Sequence, residues 1–388
     1  MTLRATLDLV QAGEEVWDVA VVGAGPAGAM AARELARLGA RVLLVDKASF
    51  PRQKVCGCCL NRCSLSTLRS VGLGDLTERL GAVTVDRFDL AVGGRHARLR
   101  LPARTCVSRE AFDAALVAAA IESGAAFLPE TRARLGRSDE DSRQLVLSQK
   151  AQTCTISASV LLAADGLAGQ LLGKDSSISV RIRPGSRIGA GVVTRADDGV
   201  YDPGTIHMAC DRDGYVGLVR LEDGRLDIAS AMDPALVKRS GGLGPAAELI
   251  IAEAGFPPVP NLTEAAWRGT PLLTRRAIPP ACHRAFAIGD AAGYAEPFTG
   301  EGIAWALAAG ASVAPLAQRA ASRWQPSLID EWSREYRRLF RRKQWICLAI
   351  AKALRHKTLT RAAVAALSRA PALASPIVRL LDRPVRRQ

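Results

Sequence analysis

Between Trp17 and Lys47 the chain reads WDVAVVGAGPAGAMAARELARLGARVLLVDK, and few folds accommodate that order of residues. Residues 17–22 read as a buried strand, 27–38 as a helix and 41–45 as a second strand. Gly23, Gly25 and Gly28 hold the GxGxxG positions in the turn that also contains Pro26 and Ala27. Gly23 permits a tight turn, Gly25 lets backbone approach a pyrophosphate, and Gly28 lets the helix pack closely on the strand. The helix start then offers unpaired N–H groups to phosphate. Asp46 ends the second strand, with Lys47 next, and a carboxylate there can accept hydrogen bonds from a ribose diol. The pattern implies a dinucleotide site but does not distinguish NAD from FAD.

A length of 388 residues suits two packed domains, and 48% hydrophobic with 23% charged residues describes a chain that folds throughout. The first residues contain no apolar signal segment, and no run approaches the roughly 20 apolar residues that span a bilayer, which points to the cytosol. In a reducing compartment the nine cysteines are expected as thiols or ligands, not as a disulfide framework.

Two further segments carry glycine and aspartate at strand ends. VLLAADGLAGQLLG, residues 160–173, runs from a strand into Asp165-Gly166, and RAFAIGDAAGYAEPFTGEGIAWALAAG, residues 284–310, runs from a strand into Gly289-Asp290 and then a helix opening near Gly300, Gly302 and Ile303. Together with the first turn, they resemble the FAD-dependent oxidoreductases built like p-hydroxybenzoate hydroxylase, in particular the geranylgeranyl reductase-like and monooxygenase branch. The resemblance implies that Asp290 contacts the ribityl chain of FAD. It also implies that the helix opening at Gly302 aims its N-terminus at the flavin's pyrimidine edge, where a helix dipole stabilises the charge gained on reduction. Arg109, opening a helix in VSREAFDAALVAAAIESGAAF (107–127), corresponds to an arginine that lies against the flavin.

PRQKVCGCCLNRC, residues 51–63, places Cys56, Cys58, Cys59 and Cys63 within eight positions. Pro51, Arg52, Lys54, Cys56, Gly57 and Leu60 match the family's P-R-x-K-x-C-G-x-x-L pattern. That match puts Arg52 at the diphosphate or adenosine half and Cys56 and Gly57 at the flavin's reactive face. A metal cluster is disfavoured because a second CxxC knuckle is lacking. A redox pair, covalent flavin attachment and plain pocket lining stay open, although vicinal Cys58 and Cys59 could bridge only with strain.

The fold expected is α/β with two domains: a Rossmann-like FAD-binding domain with a mixed parallel sheet (1–80, 102–172 and 270–330), and a substrate domain with an antiparallel sheet (81–101 and 173–269). A basic helical tail covers 331–388. From Glu331 onward there are 15 Lys/Arg and 3 Asp/Glu, a net of 15 − 3 = +12, against +14 for the whole chain. Tyr336, Phe340, Ile346 and Ile350 recur at near-helical spacing among these cations. The tail is read either as a helical appendage with one face on the core or as a contact for an anionic membrane surface. Nucleic acid is not an expected partner, because no nucleic-acid module accompanies the charge.

Strands expected over 181–233 form the roof of the substrate cavity. They lack the Y-x-W-x-F-P pattern of isoprenoid reductases and the W-x-W-x-I-P pattern of flavin-dependent halogenases; Tyr215 to Arg220 stand there instead. Gly293 replaces a histidine that many hydroxylases carry, and residues 167–172 offer no arginine. No second GxGxxG is present, so NAD(P)H is expected as a transient visitor, or another reductant serves. His96, His207, His283 and His356 are scattered and show no metal-ligand spacing. The resemblance thus implies an FAD-dependent monooxygenase of a hydrophobic aromatic or polyketide-like molecule. The alternatives are reduction of C=C bonds in an isoprenoid or quinone chain, and a flavin-binding electron-transfer module. The catalytic candidates are Cys56, Gly57, Tyr215, Pro297 and Gly300, in a monomer or homodimer.

Overall fold

Short apolar strands buried on both faces pair in parallel to make the first layer of this computed structural model, which describes residues 2–381 apart from Gln170, Ser176, 196–198 and Pro297. Strand β1 (Val16–Val22) lies between β2 (Val42–Val45) and β9 (Gln152–Ala163), and β6 (Ala126–Leu128) and β18 (Ala285–Ala287) extend the sheet in parallel on either side. Strand β17 (Ala281–Cys282) closes one edge, and the antiparallel pair β7 (Arg132–Ser138) and β8 (Arg143–Gln149) joins through β9.

Helix α1 (Leu9–Glu14) packs against β9, while α2 (Pro26–Arg37), α5 (Arg109–Glu122) and α8 (Gly302–Ser322) pack together beside the sheet. Small residues set how near α2 and α8 come: a side chain built on Gly310 would overlap the Ala27 carbonyl and approach Met30 Cβ to 3.0 Å. Helices α3 (Arg62–Ser70) and α4 (Leu76–Arg79) follow the cysteine segment. Asn61 caps α3 by accepting from the Ser64 amide at 3.0 Å.

The second layer is an eight-stranded sheet in the order β15 (Arg268–Leu272), β11 (Ile188–Thr194), β14 (Leu226–Met232), β13 (Gly214–Arg220), β12 (Thr205–Asp211), β4 (Val83–Val92), β5 (Arg95–Cys106) and β3 (Cys59–Leu60). Its pairings are antiparallel except β12 with β4, which is parallel. Gly93 and Gly94, both at positive φ, turn the β4–β5 hairpin. Helices α6 (Pro234–Arg239) and α7 (Leu243–Ala254) cover one face around Ile228, Leu236 and Ile250. A small sheet of β10 (Ser179–Ile182), β16 (Arg275–Ile278) and β19 (Gly293–Tyr294) stands apart.

Two placements depart from the strand pattern read over 181–233. Its first stretch, β10, pairs with β16 and not with the roof, because the break at Pro184-Gly185 separates it from β11. The roof also runs past residues 101 and 269, since β5 continues to Cys106 and β15 to Leu272.

The basic tail consists of α9 (Ser327–Leu354), α10 (Lys357–Arg369) and α11 (Ser375–Leu381). Its first half is part of the core: Trp332, Tyr336 and Phe340 are buried, and Trp332 Nε1 donates to the Ala287 carbonyl at 2.9 Å. Among the described residues no helix is long and apolar enough to cross a membrane.

Candidate functional site

The carboxyl ends of β1, β2, β9 and β18 open into one continuous cavity of about 1330 Å³, roofed by the second sheet. Each strand end delivers a functional turn, as ligand crevices of open parallel sheets require. Gly23, Gly25, Pro26 and Ala27 line it from β1; Asp46 and Lys47 from β2; Asp165 and Gly166 from β9; and Asp290 from β18. Gly300, Gly302 and Ile303 line it from the start of α8.

Two expected residues act from behind this surface. Gly28 packs on the turn, where a Cβ would collide with the Gly23 carbonyl, and Gly289, at φ 59°, sits where a Cβ would lie 2.8 Å from Ala27 Cβ. Gly25 is different: the atom nearest to its missing Cβ is Arg52 Nη2, 3.6 Å away, so this backbone faces the cavity. The turn is thus a cradle that a side chain would fill, at the N-terminus of α2, and these features fit a bound pyrophosphate.

Charged groups surround the cradle. Asp46, nearly buried, accepts from the Ala24 amide at 2.8 Å and the Ala48 amide at 2.9 Å. Arg52 lies 3.6 Å from Asp46 and 3.4 Å from the fully buried Asp113. Its Nε is buried without a hydrogen-bond partner among the described residues. Arg109 makes a two-pronged bond to Asp113, with both N–O distances 2.8 Å. Asp113 therefore orients both arginines. It was not among the sequence candidates, although its spacing four residues after Arg109 on one helix was a readable signal.

Lys54 and Asp290 share the same end of the cavity. Burial, and then Arg52 and Arg109, lower the Lys54 pKa. Burial pushes Asp290 up to about 6, against the pull of Lys54 and Arg109.

The four clustered cysteines diverge. Cys56, half-buried, lies in the cavity wall with Gly57, Cys58 and Cys59. A hydrogen bond from the Cys58 thiol, reinforced by Arg109, lowers Cys56 to about 6 despite burial. Cys59 stands opposite Cys106 on the β3–β5 ladder. Cys63 points to the other side, where Lys343 Nζ donates to its sulfur at 3.1 Å. All nine cysteines are free thiols, and among the described residues no three His, Cys, Asp or Glu side chains are grouped to hold a metal.

Behind this segment lie two buried acids that sequence reasoning did not select. Asp227 on β14 is buried, with Oδ2 unpartnered among the described residues; burial first, and then the Cys56 charge, holds it well above the usual carboxylate range. Glu301, fully buried just before α8, accepts from Asn61 Nδ2 at 2.8 Å and from Lys343 Nζ at 3.3 Å. Asp227 has no local pattern that would reveal it, and Glu301, though bracketed by Gly300 and Gly302 at the helix start, takes its partners from distant segments.

Beyond the charged end, the cavity is apolar. Phe88, Leu90, Ile206, Met208 and Phe298 line it. Tyr215 is buried there against Phe298, ring centroids 5.1 Å apart, and its hydroxyl has no partner among the described residues. Burial raises its pKa well above the usual range, so it stays a phenol. Pro297, the remaining catalytic candidate, lies outside the described residues. Leu354, Val364 and Leu367 of the tail helices complete this wall, which ties the tail to the site.

Comparison with known proteins agrees with this geometry. Residues 16–186 match the FAD binding domain family. The chain is 25% identical over 331 residues to conditioned medium factor receptor 1 of Dictyostelium discoideum, covering 78% of this chain and 63% of that protein. It is 30% identical over 170 residues to menaquinone reductase of Mycolicibacterium smegmatis, 40% of each chain. The chain thus spans less than two thirds of the length of these relatives. Among solved structures, p-nitrophenol 4-monooxygenase from Pseudomonas putida superposes with a TM-score of 0.76 at 18% identity, covering 96% of this chain and 100% of that one. A geranylgeranyl bacteriochlorophyll reductase-like protein from Thermoplasma acidophilum gives 0.74 at 20% identity, covering 91% and 92%. At these identities the two structures establish the fold. With the glycine cradle, the matched domain and the shared fold in agreement, residues 16–186 form an FAD binding domain, and the chain as a whole has the fold of the flavoproteins that its three motifs resemble.

Proposed function

We propose that this protein reduces C=C bonds in a long apolar chain, such as the isoprenoid tail of a quinone. The observation that carries this reading is the continuity of the cavity, which runs from the glycine cradle to the tail helices and beyond the charged end is lined mainly by apolar side chains. A compact aromatic needs no wall built from Leu354, Val364 and Leu367; an extended chain does. The menaquinone reductase relative supports the same class.

In this reading Gly25 and the α2 N-terminus hold the pyrophosphate, Asp46 the ribose, Arg52 and Arg109 the cofactor's flanks, and Asp290 the ribityl chain. Bound FAD supplies the two electrons, delivered to it by NAD(P)H or another reductant. The protein supplies the rest. The apolar wall excludes water and orients the chain, and a proton must reach the second carbon. Cys56 stands at the charged end, held by Cys58 and Arg109, and Tyr215 presents from the roof a phenol with no partner among the described residues. Cys56 is assigned as the proton donor in its thiol form, the major form below its pKa of about 6, and the groups that hold it stabilise the thiolate left behind. Tyr215 then positions the chain.

Cys56→Ala is expected to lower turnover about 10²- to 10⁴-fold while leaving FAD content unchanged, and Tyr215→Phe to raise KM more than it lowers kcat. A Cys56→Ala enzyme with near-normal turnover removes the assignment. Asp290→Ala is expected to weaken FAD binding about ten- to hundredfold, the loss of one charge-assisted hydrogen bond, measured by flavin fluorescence titration.

The second reading, oxygenation of a hydrophobic aromatic or polyketide-like molecule, is favoured by the absence of the reductase's aromatic-proline pattern in β13. Anaerobic turnover with a polyprenyl quinone separates the two. Gain of two hydrogen atoms without oxygen supports reduction, whereas a product formed only with O₂ and carrying an added oxygen atom supports the second reading.

A further inference from the structure

Three tail side chains belong to the cavity wall and to the protein surface at once. Leu359 on α10, Leu373 in the turn Pro371–Ala374 and Ile377 on α11 all line the cavity, yet they are 53%, 59% and 52% exposed. They mark its mouth. Deeper in, Val364 is fully buried and Leu354 nearly so, packed with Leu90, Met208 and Tyr215. The apolar path therefore continues from the flavin end out to an apolar lip, where a water-facing opening would be polar.

The charge around the lip has one sign. Residues 336–381 contain eleven Lys/Arg and no Asp or Glu. Some of these cations are committed: Lys343 to Glu301, Arg355 to Asp233, and Lys357 to Asp211 and Glu253. Arg361, Arg369 and Arg379, on the helices that carry the lip, are exposed and have no carboxylate partner among the described residues. Exposed leucine and isoleucine among unpaired arginines is the composition of a helix lying in the headgroup region of an anionic bilayer.

We propose that α10, the following turn and α11 seat this protein on the surface of an anionic lipid bilayer, with the cavity mouth opening into the lipid. An apolar chain then passes from the acyl region along Leu373 and Ile377 to the flavin end without crossing water. The assignment of the passenger rests on the reductase reading above; the docking itself is measured without turnover.

The test is cosedimentation of the full-length, FAD-loaded protein with vesicles of phosphatidylglycerol and phosphatidylcholine, against vesicles of phosphatidylcholine alone. Binding to the anionic vesicles is expected to fall steeply with added salt, and little protein should pellet with the neutral ones. Leu373→Glu with Ile377→Glu is expected to cut anionic-vesicle binding at least tenfold, the equivalent of withdrawing one large apolar side chain from lipid. Arg369→Glu with Arg379→Glu should weaken it similarly while flavin content stays unchanged. Equal binding to both vesicle types, no binding to either, or pairs of variants that bind like the parent would overturn the proposal. An acidic partner protein that captures the chain in place of anionic vesicles would also overturn it. Vesicle binding without turnover on any chain would remove only the reductase reading.

Discussion

Gly28→Val is expected to emerge from gel filtration with no FAD, whereas the parent protein is expected to keep a stoichiometric yellow complement. The valine Cβ would occupy the position of the Gly23 carbonyl oxygen and lie 3.0 Å from Ala164 Cβ. Neither obstacle is a flexible side-chain end, so α2 must lift from β1 and the row of N–H groups aimed at the pyrophosphate is lost. The damage propagates because the same helix is pinned on its other side by Gly310 of α8. Gly25→Val separates this effect from simple misfolding. Only Arg52 Nη2 lies near its added Cβ, so the fold should survive and the side chain should instead project into the cofactor's place. Its FAD affinity is expected to drop roughly ten- to hundredfold at an unchanged thermal midpoint. Stoichiometric flavin in both variants would overturn the placement of the pyrophosphate in this turn.

Lys343→Met should destabilise the protein by about 3–5 kcal/mol, read as a shift of the urea midpoint at constant slope. Lys343 and Glu301 are 9% and 0% exposed, at 3.3 Å, and α9 reaches the start of α8 through this contact. Losing the ammonium leaves a carboxylate in a site where water does not reach, and that is the costly half of a buried pair. Burial opposes the charge on Lys343, but Glu301 and Cys63 together outweigh it and raise its pKa. Adding Glu301→Gln to Lys343→Met should restore most of the loss, since the amide can still accept from Asn61 Nδ2. If the single variant is as stable as the parent, or the double variant no better than the single, the pair does not hold α9 to the site.

The parts of this site legible in the chain are those in which one short segment does the whole task. Strand, glycine turn, helix and acid over 17–47 are encoded within about thirty residues, so Gly23, Gly25, Gly28 and Asp46 could be named with their tasks. The observed elements, Val16–Val22, Pro26–Arg37 and Val42–Val45, lie within a residue of those expected. Asp165, Asp290 and the opening of α8 were located at strand ends in the same way, while their parts in binding FAD came from the resemblance to a family. Asp113 was also within reach through its helical spacing from Arg109.

Other features depended on distance. The cysteines of 56–63 read as one cluster because they are neighbours in sequence, but Cys56, Cys58 and Cys59 line the cavity, with Cys59 opposite Cys106, whereas Cys63 turns to Lys343. Their separation follows from the positive φ at Cys58 (51°), the short strand after it and the helix that starts at Arg62. The basic tail was read as an appendage or a membrane contact, and its cation count alone could not show that Lys343 is buried or that Val364 walls the cavity.

What the chain determined by itself is therefore a dinucleotide site and the layer that holds it, since backbone conformation and strand burial are set by near neighbours. What only the tertiary structure decided is which thiols meet the cavity, which cation is buried and how far the apolar path extends. Those outcomes depend on desolvation and packing between segments up to 280 residues apart, such as Lys343 and Cys63, and no local pattern records such a pairing.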